Sequence, residues 1–225
     1  MSIKRFAIFY DRAVKTKGSE EALIALWPTV LSTDELTDIP DDRWLSHMTK
    51  CVFRAGFVWR VIEQKWPGFE AAFSGFNPQG MAHLSDERLE QIAQDERIVR
   101  NAQKVMTVRH NAQFMLDIAA EHGSFAEFIA AWPGDDIVGL WALLKKRGSR
   151  LGGNTSAMIL RGMGKDTFVL SNDVCAALQA ANVIERPNPS SQAEMRAIQA
   201  AFNQWAEESG LALSAISRTL AASVG

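Results

Sequence analysis

Cysteine is scarce in this chain: Cys51 and Cys175 are its only two, and they lie far apart in apolar surroundings. The sequence therefore lacks the disulfide framework that stabilises small secreted domains. It opens without the charged region and apolar stretch of a secretory leader, and no apolar run is long enough to cross a bilayer. These absences predict a protein of the reducing cytoplasm that does not enter a membrane.

An excess of positive charge is also missing. The 24 basic and 26 acidic residues give a formal net charge of -2, so any binding of nucleic acid would need a local basic patch. The chain contains no GxSxG motif, no Walker loop and no HExxH motif, which removes the usual signatures of serine hydrolases, nucleotide-binding loops and zinc proteases.

Sustained alternation of apolar and polar residues is absent as well, and apolar residues instead recur at intervals of three and four. This spacing predicts an all-α fold, and the length of the chain suits one domain. Pro67-Gly68 is expected to end the second helix. The predicted helices cover 19–31, 41–65, 68–74, 85–93, 97–122, 125–132, 135–147, 154–163 and 172–181 (capped by Asn172-Asp173), with two more at the C-terminus that carry Met195 to Trp205 and Leu211 to Ala222.

The most informative segment lies between the predicted helices 135–147 and 154–163. Glycines at 148, 152 and 153 allow a tight turn and close approach of another molecule, and the following helix begins with backbone N–H groups that suit an anion. The same pattern also fits a glycine that ends a helix whose basic last turn is solvated. The residues expected to bind the DNA backbone are Lys145, Lys146, Arg150, Gly152, Gly153, Asn154, Thr155 and Ser156.

The residues after this turn resemble the second half of the motif that defines the helix-hairpin-helix DNA glycosylase superfamily, although Leu151 stands where that superfamily has its first hairpin glycine. Further blocks resemble the 3-methyladenine DNA glycosylase I family in order and spacing, and the resemblance extends over roughly residues 40 to 180. The matching segments are 55–59, 69–73, 76–78, 98–104, 144–148, 153–160, 166–169 and 171–173.

The resemblance implies an enzyme that flips an alkylated base out of double-stranded DNA and stacks it on aromatic side chains. Trp59 matches the stacking tryptophan of the family, and Phe53, close to it in sequence, is a second candidate for the base pocket. A tryptophan on a helix with Phe53 and Ile62 nearby equally fits a core residue. Phe9 or Tyr10 stands where the family has a pocket tyrosine, and the sequence does not choose between them.

The family's glutamate that contacts the base is replaced here by Cys51. A thiol is a weak donor and acceptor and a buried one stays neutral, so it cannot do the work of a carboxylate. The wider superfamily commonly has an aspartate at the position of Ser171, and Asp173 lies two residues further on. Cys51 and Asp173 are therefore the candidate catalytic positions, and Asp173 has an alternative role as a helix cap.

Members of the family bind zinc with two cysteines and two histidines, and this chain has no such set. Its cysteines are at 51 and 175, and its histidines at 47, 83, 110 and 122 show none of the close pairings that tetrahedral zinc ligation usually employs. We therefore expect neither a metal nor a cofactor. The C-terminal helices around Trp205 and Leu211 are expected to tie the ends of the fold together by apolar burial instead.

Together these features predict a monomeric, cytoplasmic, nucleoid-associated DNA repair enzyme that hydrolyses the N-glycosidic bond of 3-methyladenine in DNA. The alternative is a glycosylase-like protein that has lost catalysis and recognises damaged or bent DNA. The chain is predicted to form one domain, 1–225. Its regions are an N-terminal segment (1–40), a helical bundle with the base pocket (41–134), the helix-hairpin-helix region with the next helix (135–181), and C-terminal helices that pack back (187–225).

Overall fold

The computed structural model describes residues 3–224, which form α-helices and short 3-10 turns without a β-strand, so the all-α prediction is confirmed. Two 3-10 turns, Ser74–Phe76 and Gly134–Asp136, separate helices. The α-helices are α1 Phe6–Lys17, α2 Glu20–Ile24, α3 Thr33–Thr37, α4 Asp41–Arg54, α5 Trp59–Ala72, α6 Pro78–Ala82, α7 Asp86–Ala93, α8 Ala102–His122, α9 Phe125–Ala131, α10 Ile137–Arg147, α11 Asn154–Gly162, α12 Asn172–Ala180, α13 Gln192–Ser209 and α14 Leu213–Ala222.

The described chain clusters into two compact units, and each is discontinuous in sequence. The central unit comprises Ser32–Trp132 and Trp141–Met163. The terminal unit comprises the residues up to Leu31, Pro133–Leu140 and the residues from Gly164 onward. These units do not coincide with the four regions predicted from the sequence, and the organisation of the chain as one domain stays a prediction.

In the terminal unit, α1 packs against α13 and α14. Trp205 of α13 is completely buried, its ring lies 6.1 Å from that of Phe9, and its indole Nε1 donates to the Lys4 carbonyl at 3.0 Å. Phe202 stacks on Phe168 with ring centroids 4.1 Å apart. Burial of these large aromatic side chains contributes to the stability of the unit.

The segment between α11 and α12 has no regular secondary structure and is held by α14. The Asp166 carboxylate accepts hydrogen bonds from the amides of Leu213 and Ser214 at 2.8 and 2.9 Å. It therefore pairs two backbone N–H groups in the first turn of α14 that have no partner within the helix. The Ser217 hydroxyl accepts from the Val169 amide at 3.1 Å. These hydrogen bonds to α14 take the place of the hydrogen bonds that a neighbouring β-strand would supply to an extended segment.

In the central unit, α4 packs against α5, α8, α9 and α11. Trp44 is completely buried edge-on to Phe125 of α9. At the start of α4, the Asp41 carboxylate accepts from the amides of Phe125 and Ala126 at 3.0 and 3.1 Å. This acidic side chain therefore joins the starts of two helices, and it fixes α4 against α9.

The predicted helix 41–65 is wrong, because the chain leaves the helix after Arg54 and enters a new one at Trp59. Gly56 has φ +75°, in the left-handed region that favours glycine, and Val58 is extended. Pro67-Gly68 does not end the helix but lies inside α5. A Cβ at residue 68 would come within 2.4 Å of the Arg97 carbonyl oxygen, so glycine here permits close packing of α5.

Several short elements escaped the sequence patterns. Helices α1, α3 and α6 were not predicted as separate helices, and the 97–122 helix begins only at Ala102, after the cap residue Asn101. Helix α12 is capped by the Ser171 side chain, which accepts from the Val174 amide at 3.2 Å, and not by Asn172-Asp173. Asp173 lies exposed in the first turn of that helix.

Candidate functional site

The segment from α10 to α11 folds as two helices joined by a hairpin of residues 148–153, and the hairpin belongs to the central unit. The buried Asn111 side chain of α8 holds the hairpin from below. It accepts from the Ser149 amide at 2.7 Å and donates to the Ser149 carbonyl at 3.2 Å. Because the backbone N–H and the carbonyl of Ser149 are both paired with Asn111, the hairpin has a fixed position on α8.

Two further side chains shape the hairpin from inside. Leu151, which stands in place of the superfamily's first hairpin glycine, is 1% exposed and anchors the turn in the core. The Ser156 hydroxyl is completely buried and donates to the Leu151 carbonyl at 2.5 Å. It is therefore committed to the hairpin itself, and the predicted contact of this side chain with a phosphate is not supported.

Gly153 presents an open backbone at the start of α11. Its φ of +58° and ψ of -139° belong to a region that only glycine adopts without strain. A Cβ built on it would meet no atom within 4 Å, so the space beside it is open to another molecule. Since Gly153 has no side chain with which to cap α11, this helix start suits an external anion.

The surroundings of the hairpin are positively charged although the whole protein is not. No acidic residue occurs between Ile137 and Lys165, and the predicted DNA contacts Lys145, Lys146 and Arg150 are exposed. Arg150 donates to the Gln103 side chain at 2.6 Å, which directs it toward the start of α8. The protein therefore has a local basic patch of the kind that binds phosphates, although its net charge is -2.

Replacing Lys145, Lys146 or Arg150 with glutamine, one at a time, is expected to reduce the slope of log K against log salt concentration for DNA binding by about one unit each. Each side chain would release about one counterion when it contacts a phosphate. Fluorescence anisotropy with a labelled duplex at several salt concentrations measures the slope, with Lys17→Gln in the terminal unit as the control. An unchanged slope in all three variants would show that the hairpin is not the DNA-binding face.

The loop that separates α4 from α5 and the first turn of α5 expose several apolar side chains. Phe57, Val58, Trp59 and Val61 are 41%, 66%, 52% and 38% exposed. Adjacent exposed apolar residues on an ordinary surface cost solubility and commonly mark a binding site. The predicted stacking residue Trp59 is therefore accessible at the first position of α5.

Lys104, at the start of α8, contacts this apolar loop. Its ammonium donates to the carbonyls of Phe53 and Ala55 at 3.1 and 2.6 Å and lies 4.8 Å from the centre of the Phe57 ring. Burial, together with the charge of Arg150, lowers the pKa of Lys104 below its ordinary value. The start of α8 thus contacts the loop through Lys104 and the hairpin through Gln103, so the central unit brings the two predicted binding regions together.

Trp59 is covered on one face by a cation from its own chain. The Arg54 guanidinium lies 5.0 Å from the centre of the Trp59 ring, and its Nε donates to Glu63 Oε1 at 2.9 Å. Lys50 lies 3.4 Å from the other oxygen of Glu63. Burial alone would raise the pKa of Glu63, but its hydrogen bond and attraction to Arg54, aided by Lys50, lower that pKa below the ordinary value.

Cys51 is buried one helical turn after His47, whose Nε2 lies 3.5 Å from the cysteine Sγ. Burial raises the pKa of Cys51 to about 11, against the opposing charges of Arg54 and Lys50. Burial and the same two cations lower the pKa of His47 to about 4. Both side chains are therefore neutral at pH 7, and this position supplies no negative charge.

The depressed pKa of His47 makes stability depend on pH. Between about pH 6.5 and pH 4 the unfolded chain binds a proton at His47 that the folded chain does not, so the free energy of unfolding falls as the pH falls through this range. The loss is expected to be on the order of 2–3 kcal/mol for a shift of this size. Denaturant unfolding at pH 7 and pH 4.5 measures it: His47→Gln should remove most of the difference, whereas the exposed His83→Gln should retain it.

The other predicted pocket residues have different surroundings. Phe53 is completely buried and packs edge-on against Phe69 with centroids 4.7 Å apart, so direct stacking of Phe53 on a base is not supported. Phe9 and Tyr10 lie on α1 in the terminal unit, Phe9 buried and Tyr10 half-buried. Tyr10 donates to the Glu20 carboxylate, and this bond, with burial, raises the pKa of Tyr10 to about 12.

Sequence reasoning missed Arg54, Glu63, Lys104 and Asn111 as parts of the site. Lys104 lies within a block that resembles the family, and Trp59 and Glu63 are four residues apart, the spacing that places two side chains on one helix face. The roles of Arg54 and Asn111 depend on contacts between helices, which a sequence pattern does not display.

Within residues 3–224, no group of three or more His, Cys, Asp or Glu side chains is placed to hold a metal ion. Cys51 and Cys175 are both buried and unpaired, so the described residues do not fit the four-ligand zinc site of the family, and the metal-free state stays a prediction. Every helix in the same stretch is too short or too polar to span a membrane.

Comparison with known proteins identifies the family. The family of methyladenine glycosylases matches residues 39–185. DNA-3-methyladenine glycosylase 1 of Escherichia coli K12 is 28% identical over 76 residues, which are 34% of this chain and only 41% of that protein.

Solved structures show the same fold. The 3-methyladenine DNA glycosylase I of Staphylococcus aureus superposes with a TM-score of 0.52 at 23% identity, over 61% of this chain and 80% of that one. The Methanocaldococcus jannaschii 8-oxoguanine glycosylase/lyase, in complex with DNA containing 8-oxoguanine, superposes with a TM-score of 0.54 at 15% identity, over 95% of each chain. The fold is that of the helical helix-hairpin-helix DNA glycosylases, and because the family match covers more than half of the chain, the protein belongs to the methyladenine glycosylase family.

Proposed function

We propose that this protein is a DNA glycosylase that hydrolyses the N-glycosidic bond of 3-methyladenine in double-stranded DNA, the first step of base excision repair. The observation that carries the proposal is an exposed Trp59 ring in the same unit as a basic hairpin with an open helix start, with the start of α8 contacting both the loop before Trp59 and the hairpin. A protein that works on a base must take it out of the stack, and an accessible aromatic face offsets part of the stacking energy that the base loses.

In this proposal the hairpin positions the DNA and carries no sequence information. Lys145, Lys146 and Arg150 attract the phosphates, and the backbone of Gly152, Gly153, Asn154 and Thr155 lies where the start of α11 meets them. Binding through the backbone alone suits a repair enzyme, because a lesion can occur in any sequence. The protein acts as a monomer on one duplex.

Cleavage of the glycosidic bond of 3-methyladenine needs little catalytic assistance from the protein. An adenine methylated at N3 carries a positive charge and leaves as a neutral base, so bond cleavage needs less assistance than it does for an ordinary purine. Stacking on Trp59, close fit and exclusion of bulk water would then supply most of the rate enhancement, and water completes the hydrolysis. Cys51 contributes packing and a weak polar contact, because its thiol is neutral.

A second candidate function rests on the same cysteine. Since Cys51 replaces the carboxylate of the family and Asp173 is an exposed residue of a helix first turn, the protein could recognise damaged DNA without cleaving it. In that case Trp59 and the hairpin would still bind an extruded base and the backbone, but the glycosidic bond would persist.

Parallel binding and release measurements separate the two functions. A duplex treated with a methylating agent is incubated with the protein; chromatography then follows free methylated adenine and anisotropy follows the complex. The enzyme releases 3-methyladenine, and release falls in Trp59→Ala. Tight binding without release would support the non-catalytic function, and the absence of both would contradict the two proposals together.

A further inference from the structure

Trp59, Arg54 and Glu63 form a compact arrangement on the surface of the central unit. Arg54 is the last residue of α4, Trp59 is the first of α5, and Glu63 follows one turn later on the same face of α5. The guanidinium lies 5.0 Å from the Trp59 ring centre and is bonded to the Glu63 carboxylate at 2.9 Å. A flat cation is thus held between an aromatic face and a carboxylate.

This arrangement resembles, in its chemistry, what a cationic purine would need. A guanidinium is planar and delocalises its charge, and it stacks on aromatic faces. An adenine methylated at N3 is also planar, carries one delocalised positive charge and has N–H donors at its edge. Within the chain, Arg54 therefore occupies a position that suits a base of this kind.

Negative charge is the second requirement, and Cys51 does not provide it. The Glu63 side chain is 44% exposed and its two oxygens contact different cations, Oε1 Arg54 and Oε2 Lys50. Lys50 also lies 4.6 Å from the ring centre of Trp66, so it is held on its own aromatic partner. If Arg54 moves aside, Oε2 of Glu63 still contacts Lys50, and Oε1 becomes available to a positively charged ligand.

We propose that Trp59 and Glu63 form a binding site for a positively charged alkylated purine, and that Arg54 occupies this site until the base displaces it. The inference rests on the proposed function, because it assigns the stacking role to Trp59. Glu63 then favours binding of charged bases over neutral ones. A cationic base that displaces Arg54 takes over its attraction to Glu63, whereas a neutral base that displaces Arg54 gains no such attraction.

The test uses two small probes with the full-length protein. The cation 3,9-dimethyladeninium has a fixed positive charge, and 9-methyladenine is its neutral counterpart, so the ratio of their dissociation constants measures discrimination by charge. Calorimetric titration is carried out with wild type, Arg54→Ala, Arg54→Ala/Glu63→Gln and Trp59→Ala. Arg186→Ala, which removes an exposed pair with Glu194 in the terminal unit, is the matched control.

Removing Arg54 is expected to tighten binding of the cation by about fivefold, since an exposed cation–aromatic contact of this strength no longer competes. Adding Glu63→Gln should then weaken binding of the cation by about fivefold and leave that of the neutral probe unchanged. If both probes bind Arg54→Ala like the control variant, or if the ratio survives Glu63→Gln, the inference is overturned. Weaker binding of both probes to Trp59→Ala would in that case leave the proposed function standing, whereas no change in Trp59→Ala contradicts both.

Discussion

Trp59→Ala is expected to lower the rate of 3-methyladenine release by roughly 10- to 100-fold, because stacking of one base on an aromatic side chain contributes on the order of 1–3 kcal/mol. The side chain is half exposed and packs on Arg54 alone among the ring contacts described, so the melting temperature should change little. Single-turnover release from methylated duplex measures the effect.

Trp59→Phe provides the matched control for this prediction. It keeps an aromatic face at the start of α5 and should retain most of the activity, which separates loss of stacking from loss of the residue. Release by Trp59→Ala at the rate of wild type would mean that the base is held elsewhere, and Trp59 would then be an exposed apolar side chain without a role in the reaction.

Gly153→Ala is expected to weaken DNA binding by about tenfold or more and to slow base release correspondingly. Alanine at φ +58° and ψ -139° is strained by about 1–3 kcal/mol, and the hairpin would relieve the strain by moving the start of α11. A side chain here would also occupy the open space beside the backbone. Anisotropy with a duplex and denaturant unfolding measure the two effects.

Gly80→Ala is the control for the glycine substitution. Gly80 lies within α6, where an added Cβ would make an ordinary contact 3.8 Å from the Asn77 side chain, and alanine suits a helix. DNA binding by that variant should match wild type, and its stability should equal or slightly exceed that of wild type. If Gly153→Ala binds DNA as tightly as Gly80→Ala does, the backbone of the hairpin is not at the phosphates.

The sequence predicted the region of the site better than its details. Spacing and glycines located the helix, hairpin and helix around residue 150 because these are local features. The break at Gly56 was missed because apolar residues keep the helical spacing on both sides of it, and a single glycine gives only a weak local signal. Accessibility of Trp59 follows from that break, so it was not visible in the pattern.

Errors at individual residues have a common physical origin. Ser156 and Phe53 have side chains that suit a phosphate and a base, yet packing committed both to the interior. Asp173 is a good capping residue, but Ser171 lies one position before α12 and takes that role. In each case a neighbour in space or in the helix register decided between two chemically reasonable roles, and composition does not contain that information.

The most direct test is single-turnover incubation of wild-type protein, in excess, with a duplex that carries 3-methyladenine, followed by chromatographic identification of the released base. A methyladenine glycosylase is predicted to release free 3-methyladenine, to leave an abasic site in the strand, and to do so well above the spontaneous rate. Formation of the protein–DNA complex with release at only the spontaneous rate would contradict catalysis and leave a DNA-binding protein.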